Sequence, residues 1–466
     1  MQKKYINKTS LTSGLNRNVL ILFLFLIFFV VQADFIKGEE SLKFDLTSIK
    51  SLAVKQNKII KNARLDMKIA RNVVRETTAT GLPQIEGKLS YQDMTQIPIT
   101  LIPAQFIDQD AEEGTYFPMK FGTQHNMSME LVASQLVFNG TYIVALQSSK
   151  IYMRLSKESL IKTEIEVKSL VTGTYYLILV SENLRDILIK NLKSLEKLYY
   201  ETSEMYKAGF VEETDVDQIE YFVIGIKNRL SAIKRQIEIT YKLLKFQMGL
   251  ELDKEISIEG NINDLAAKIE YKSVLAKEFD IKRNIDFRMA DTQVKSSSLL
   301  LKKEKSLFLP SITAFLSHSR NAMRNEFNFF KKNEDKWYPS TIIGLNLNIP
   351  IFSSGMRLAK VKQAEYDLEK SLNMKSDAED NLNLAYMNVR SACLTSIGGK
   401  ESSYRNLQIA EKIYNKTIEK FKNGVSSSTE LIQTYNQYLQ SQFTYTSALI
   451  EFFNSLTGLE KLLNLI

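Results

Sequence analysis

The chain is 466 residues long, 44% of them hydrophobic and 24% charged, with a formal net charge of +8. That hydrophobic share argues against a disordered chain. The single cysteine excludes an internal disulfide framework and a cysteine-rich zinc site.

The N-terminal segment reads as an export signal. Lys3, Lys4, Lys8 and Arg17 precede an unbroken apolar run from Val19 to Val31, and Val31-Gln32-Ala33 resembles a small-residue cleavage site. The run is shorter than the ~20 residues of a spanning helix. The rival reading is an uncleaved inner-membrane anchor. No cysteine adjoins the site, so no N-terminal lipid anchor is expected. Removing residues 1–33 lowers the net charge from +8 to +4, which gives nucleic acid no support as a partner.

Seven prolines punctuate the rest: Pro83, Pro98, Pro103, Pro118, Pro310, Pro339 and Pro350. The stretches between Pro118 and Pro310 and beyond Pro350 are free to form long helices. Leu184, Leu188, Asn191, Leu195, Leu198, Thr202 and Met205 follow alternating steps of four and three, a heptad seam. Leu192, Tyr199 and Tyr206 add a second line, and Leu407, Ala410, Tyr414, Thr417 and Phe421 repeat the pattern. Two seams let one helix pack on both sides, as the wall of a helical tube requires. An antiparallel bundle has the same periodicity.

The proline-bearing regions alternate instead. Ile85 to Tyr91, Met127 to Leu131, Ile312 to Leu316 and Ile343 to Ile349 are strand candidates, apolar on one face and mostly polar on the other. A lipid-facing barrel with a wet lumen shows this alternation, and so does a small soluble sheet. Tyr91, Tyr116, Phe117, Trp337 and Tyr338 sit where an aromatic girdle would lie.

The arrangement occurs twice. Tyr206-Lys207-Ala208-Gly209-Phe210 is echoed by Phe421-Lys422-Asn423-Gly424-Val425; Thr214, Asp215 and Gln218 recur as Thr429, Glu430 and Gln433. Leu82-Pro83-Gln84-Ile85 recurs as Leu309-Pro310-Ser311-Ile312. Each half reads helix, strand, loop, strand, long helix, tight turn, helix. Four strands cannot close a barrel that needs about eight, so other chains must be recruited. Sequence physics leaves two, three or four copies open. The helix from about Asn139 to Tyr206 spans roughly 100 Å at 1.5 Å per residue, far more than a bilayer.

These residues resemble the TolC family of outer-membrane efflux proteins over about 42–466. The carrying segments are Ala63 to Gln84, Ser134 to Gly140, Tyr206 to Gln218, Gln247 to Leu250, Asn348 to Phe352 with Gly355, Phe421 to Gln433, and Leu456 to Leu459. The resemblance implies a mainly α chain with membrane β. It implies that residues 42–250 and 272–466 are two structural repeats joined by an equatorial linker at 251–271. It implies that a homotrimer shares a twelve-stranded β-barrel, continued by a long periplasmic α-helical barrel. It implies outer-membrane lipid, a periplasmic adaptor and an inner-membrane pump as partners, in tripartite efflux or type I secretion. Loops 92–122 and 319–337 would face outside.

By the same resemblance the tip turns at Gly209, Phe210, Gly424 and Val425 dock the adaptor. Glycine at a helix end also has a sufficient backbone explanation. The family often carries an acidic ring inside the closed tip, which makes Asp215, Glu430 and Gln433 the candidate gate. Gln433 stands where a second acid is expected. Ser427 with Glu430 also fits a capping box, and the acids from Glu212 to Asp217 suit a helix start. No enzyme motif, metal site or cofactor is expected: His125 and His318 are isolated in strand candidates, and Cys393 lies in a helical stretch. The alternatives are a periplasmic coiled-coil scaffold without a pore, which the four alternating segments oppose, and a general porin, which the long helices oppose.

Overall fold

The computed structural model describes residues 42–331 and 336–466; the expected export signal lies outside the described residues, as do positions 332–335 of the expected second loop. A short strand β1 (Leu42–Phe44) leads into helices α1 (Leu46–Gln56) and α2 (Lys58–Ala79). Then come β2 (Gln84–Asp93), a hairpin of β3 (Ile99–Pro103) and β4 (Tyr116–Lys120), and the long β5 (His125–Asn139). Helices α3 (Gly140–Lys207) and α4 (Glu213–Met248) complete the first pass. After β6 (Ile256–Ile258), α5 (Ile262–Lys268) and α6 (Tyr271–Leu275), the pattern repeats. Its elements are α7 (Ile285–Ser306), β7 (Ser311–Arg324), β8 (Tyr338–Asn348), α8 (Met356–Lys422) and α9 (Ser428–Leu462).

The proline-free stretches do form the long helices, α3 of 68 residues and α8 of 67. Both end in the same way. The Phe210 N–H donates to the Met205 carbonyl and the Gly209 N–H to Tyr206, each at 2.9 Å; Val425 and Gly424 donate to Lys420 and Phe421 at the same distances. This pairing closes a helix through a left-handed residue. The duplication therefore extends to individual hydrogen bonds.

Two buried clusters hold the helices together. Around the middle of α3, Ile178 and Leu179 meet Ile49, Ile60, Leu244, Met248, Leu449, Phe452 and Phe453. Toward the turns, Leu188, Leu195 and Leu198 of the heptad seam meet Val223 and Ile226 of α4, Tyr414 and Phe421 of α8, and Leu431 and Tyr435 of α9. Within that seam Asn191 donates to the Gln442 side-chain oxygen at 2.7 Å. β1 pairs in parallel with β6, and residues around Ile256 to Leu275 pack on the first cluster.

A second internal echo lies at the helix starts. Asn57 caps α2, and its side-chain amide donates to the Gln247 carbonyl at the end of α4 at 2.7 Å. Asn284 caps α7 and donates to the Leu462 carbonyl at the end of α9 at 3.2 Å. One asparagine in each repeat thus ties an entering helix to the end of the returning one. An alanine six residues on in both repeats, Ala63 and Ala290, is the signal in the sequence.

The four strand candidates form one antiparallel sheet in the order β2-β5-β7-β8. β7 runs on to Arg324, so the second loop begins later than expected, and the first loop contains the β3–β4 hairpin. Val137 is the extra residue of a bulge between Leu136 and Phe138. Gly344 faces Phe315, and a Cβ there would lie 2.6 Å from its ring, so the missing side chain makes room for the phenyl.

Candidate functional site

The sheet sorts its side chains by strand parity. Leu89 opposes Met129, and Leu316 lies between Ala133 and Ile343 in the ladder. That register puts Ile85, Leu89, Met129, Leu131, Leu316, Ile343 and Leu345 on one face, all of them exposed. Glu86, Lys88, Ser128, Glu130, Ser317 and Asn346 take the other face, where the Ser317 hydroxyl donates to Glu130 at 2.9 Å. Exposed apolar residues on one face and polar ones on the other suit lipid outside and water inside. The strands β2 and β8 each leave one edge unpaired among the described residues.

Aromatic side chains gather at the loop end, where Tyr91 meets Phe327 edge-on at 5.5 Å and Trp337 packs by Phe329. Three of the expected girdle residues are elsewhere. Tyr116 and Phe117 belong to the separate hairpin, and Tyr338 opposes Asn321 on the polar face. Both histidines are engaged within strands: Tyr91 hydroxyl lies 3.0 Å from His125 Nδ1, and Thr341 hydroxyl 2.9 Å from His318 Nδ1.

The other candidate residues lie at the turns closing α3 and α8. Gly209 and Gly424 adopt φ of +79° and +71°, and nothing stands within 4 Å of a Cβ built on either. Backbone conformation alone therefore asks for glycine there. Phe210 is 79% exposed and Val425 75%, two apolar side chains offered to water at the two turns.

The candidate gate residues do not form one group. Asp215 accepts the Glu212 N–H at 3.0 Å, completing a reciprocal capping box at the start of α4. In the second repeat the box is only half made. Ser427 accepts the Glu430 N–H at 3.2 Å, but the Glu430 carboxylate takes the Ser426 hydroxyl at 2.6 Å. Asp215 and Glu430 thus serve their own helix starts. Gln433 instead lines a groove of about 460 Å³ between α4 and α9, with Asp217, Gln218, Tyr221, Phe222 and Ile432. Those aromatic lining residues escape a search for acids. Beneath it, burial pushes the Tyr414 and Tyr435 phenols well above their ordinary range, which fits a packed tip core.

Residues 281–465 match the family model of outer membrane efflux proteins. A search of curated proteins finds no match. Solved structures share the fold along nearly the whole chain. CusC superposes with a TM-score of 0.72 at 15% identity, covering 90% of this chain and 91% of its own. The Campylobacter jejuni CmeC outer membrane channel gives 0.70 at 18% identity, covering 90% and 85%. The open state of the Neisseria gonorrhoeae MtrE outer membrane channel gives 0.66 at 16% identity, covering 90% and 88%. The fold is TolC-like along nearly the whole chain. The family match covers residues 281–465, and the likeness of the whole chain to solved outer membrane channels is one of fold. Among the described residues no helix is long and apolar enough to cross a membrane.

Proposed function

We propose that three copies of this chain close a twelve-stranded barrel in the outer membrane. The long helices continue it as a tube into the periplasm, and the conduit carries substrates away from an inner-membrane pump. The observation that carries this reading is a four-stranded sheet with an exposed apolar face and two unpaired edges. The open edges are not stable in lipid for one chain, because every backbone group must be satisfied there, and the apolar face is not stable in water. Closure with neighbouring copies satisfies the edges, and lipid covers the apolar face.

In this reading residues 42–250 and 272–466 are the two repeats, and 251–271 is the belt around the tube. The turns at Gly209, Phe210, Gly424 and Val425 dock the adaptor. Asp215, Glu430 and Gln433 lie at the closing end, where the two acids set the helix starts and Gln433 faces the groove. A pore-less scaffold leaves the apolar face unexplained.

A paired substitution tests the barrel. Leu345 and Asn346 are neighbours on opposite faces of β8. A lysine on the lipid face costs about 2–4 kcal/mol at the bilayer midplane and little in the lumen. Leu345→Lys should sharply reduce heat-modifiable oligomer in outer membranes, and Asn346→Lys should leave it intact. Equal yields from both variants would contradict the assignment of faces.

A further inference from the structure

Where the strands hand over to the long helices, a cavity of about 470 Å³ opens. Both α3 and α8 begin at its wall, through Gly140 and Thr141 of one and Met356, Arg357 and Lys360 of the other. Helix N-termini carry partial positive charge and N–H groups without helical partners. The N-cap of α8 is Gly355, and no side chain caps that helix.

Arg357 is only 7% exposed. Its Nε donates to the Ser353 hydroxyl at 3.0 Å, and its Nη1 to the Pro350 and Leu307 carbonyls at 2.9 and 3.4 Å. The guanidinium lies over the Phe308 ring at 5.1 Å. Nη2 makes no hydrogen bond among the described residues, and neither Arg357 nor Lys360 pairs with a carboxylate there. No Asp or Glu lines the cavity. A buried cation without a counter-charge is costly. The starts of α3, capped by the neutral Asn139 side chain, and of α8, which no side chain caps, lie at the same wall and bring no negative charge to it.

We propose that this cavity binds a phosphate-class anion, with the charge between Arg357 and Lys360 and any apolar remainder along Leu309, Phe352 and Met356. Two sources share that chemistry: the headgroup of an anionic phospholipid and a soluble phosphate passing the junction. The site is built within one chain, so it stands or falls independently of barrel closure.

The test uses the full chain purified in a non-ionic detergent, as wild type, Lys360→Gln and Lys360→Arg. Lys360 is exposed, so these variants should fold, which circular dichroism checks. Native mass spectrometry compares phosphatidylglycerol with phosphatidylethanolamine of the same acyl chains, and calorimetry titrates inorganic phosphate. We expect preferential binding of the anionic probe, weakened about tenfold in Lys360→Gln and retained in Lys360→Arg. Phosphatidylglycerol retention without phosphate uptake identifies the lipid source, and phosphate uptake the soluble one. Wild-type protein that takes up neither probe, or binding indifferent to Lys360→Gln, overturns the proposal.

Discussion

Gly249 and Gly209 both adopt positive φ, yet their surroundings differ. A Cβ at Gly249 would lie 2.5 Å from the Gln56 carbonyl oxygen, whereas at Gly209 it meets open space. Left-handed backbone costs about 1–2 kcal/mol for an ordinary residue, and overpacking adds about 1–3 kcal/mol. Gly249→Ala should therefore lower the melting temperature more than Gly209→Ala, as circular dichroism would show. At the end of the second repeat the left-handed residue is Asn464, with φ of +54°, whereas Gly458 lies inside α9 with no positive φ. Phe210 and Val425 invite a functional test. Phe210→Asp with Val425→Asp should abolish crosslinking to the adaptor while oligomer assembly persists; undiminished crosslinking would refute docking there. Asp291 supplies a pH dependence. Hydrogen bonds from Lys295 and Lys375 hold its carboxyl down at about 2, from an ordinary 3.8. A depressed folded pKa means its stabilisation is complete above the ordinary value and is lost as pH falls toward 2. Melting curves from pH 5 to 2 should be flatter for Asp291→Asn than for wild type.

The elements themselves were unevenly legible. The long helices were readable because proline is excluded from them and the seams repeat every seven residues. Leu188, Asn191, Leu195, Leu198 and Thr202 are all buried as that period requires. Strand existence was readable, but the end of β7 was not. His318 and Arg320 occupy positions of the apolar face, so the alternation fades while the ladder continues to Arg324. The β3–β4 hairpin was hidden by Pro98, Pro103 and Pro118, which read as breakers; a two-stranded hairpin is all edge and tolerates them. The tip was the least legible, because the second-repeat carboxylate chose Ser426 over the backbone of Ser427. Asn191 in the seam makes a separate prediction. Asn191→Leu strands the Gln442 side chain and should cost about 1–3 kcal/mol, while adding Gln442→Leu should recover much of it. A double mutant no more stable than the single would show that the pair does not act as a unit.

At the scale of the molecule, a single chain is an incomplete object. Its sheet has an exposed apolar face and two free edges, and its long helices carry further exposed apolar residues such as Tyr152, Leu170, Ile189 and Tyr200 on α3. The second line of that helix, Leu192 and Tyr199, is only partly covered within the chain. Neighbouring copies would complete both the wall of strands and the wall of helices. Sequence pattern predicted this need for partners, since four strands cannot close. The number of partners came from the family resemblance, because no local pattern encodes it. The most direct measurement is the oligomeric mass of protein extracted gently from isolated outer membranes, beside a heat-denatured sample. We expect three chains in the native sample and one after heating. A monomer recovered from the soluble periplasmic fraction would contradict the shared barrel.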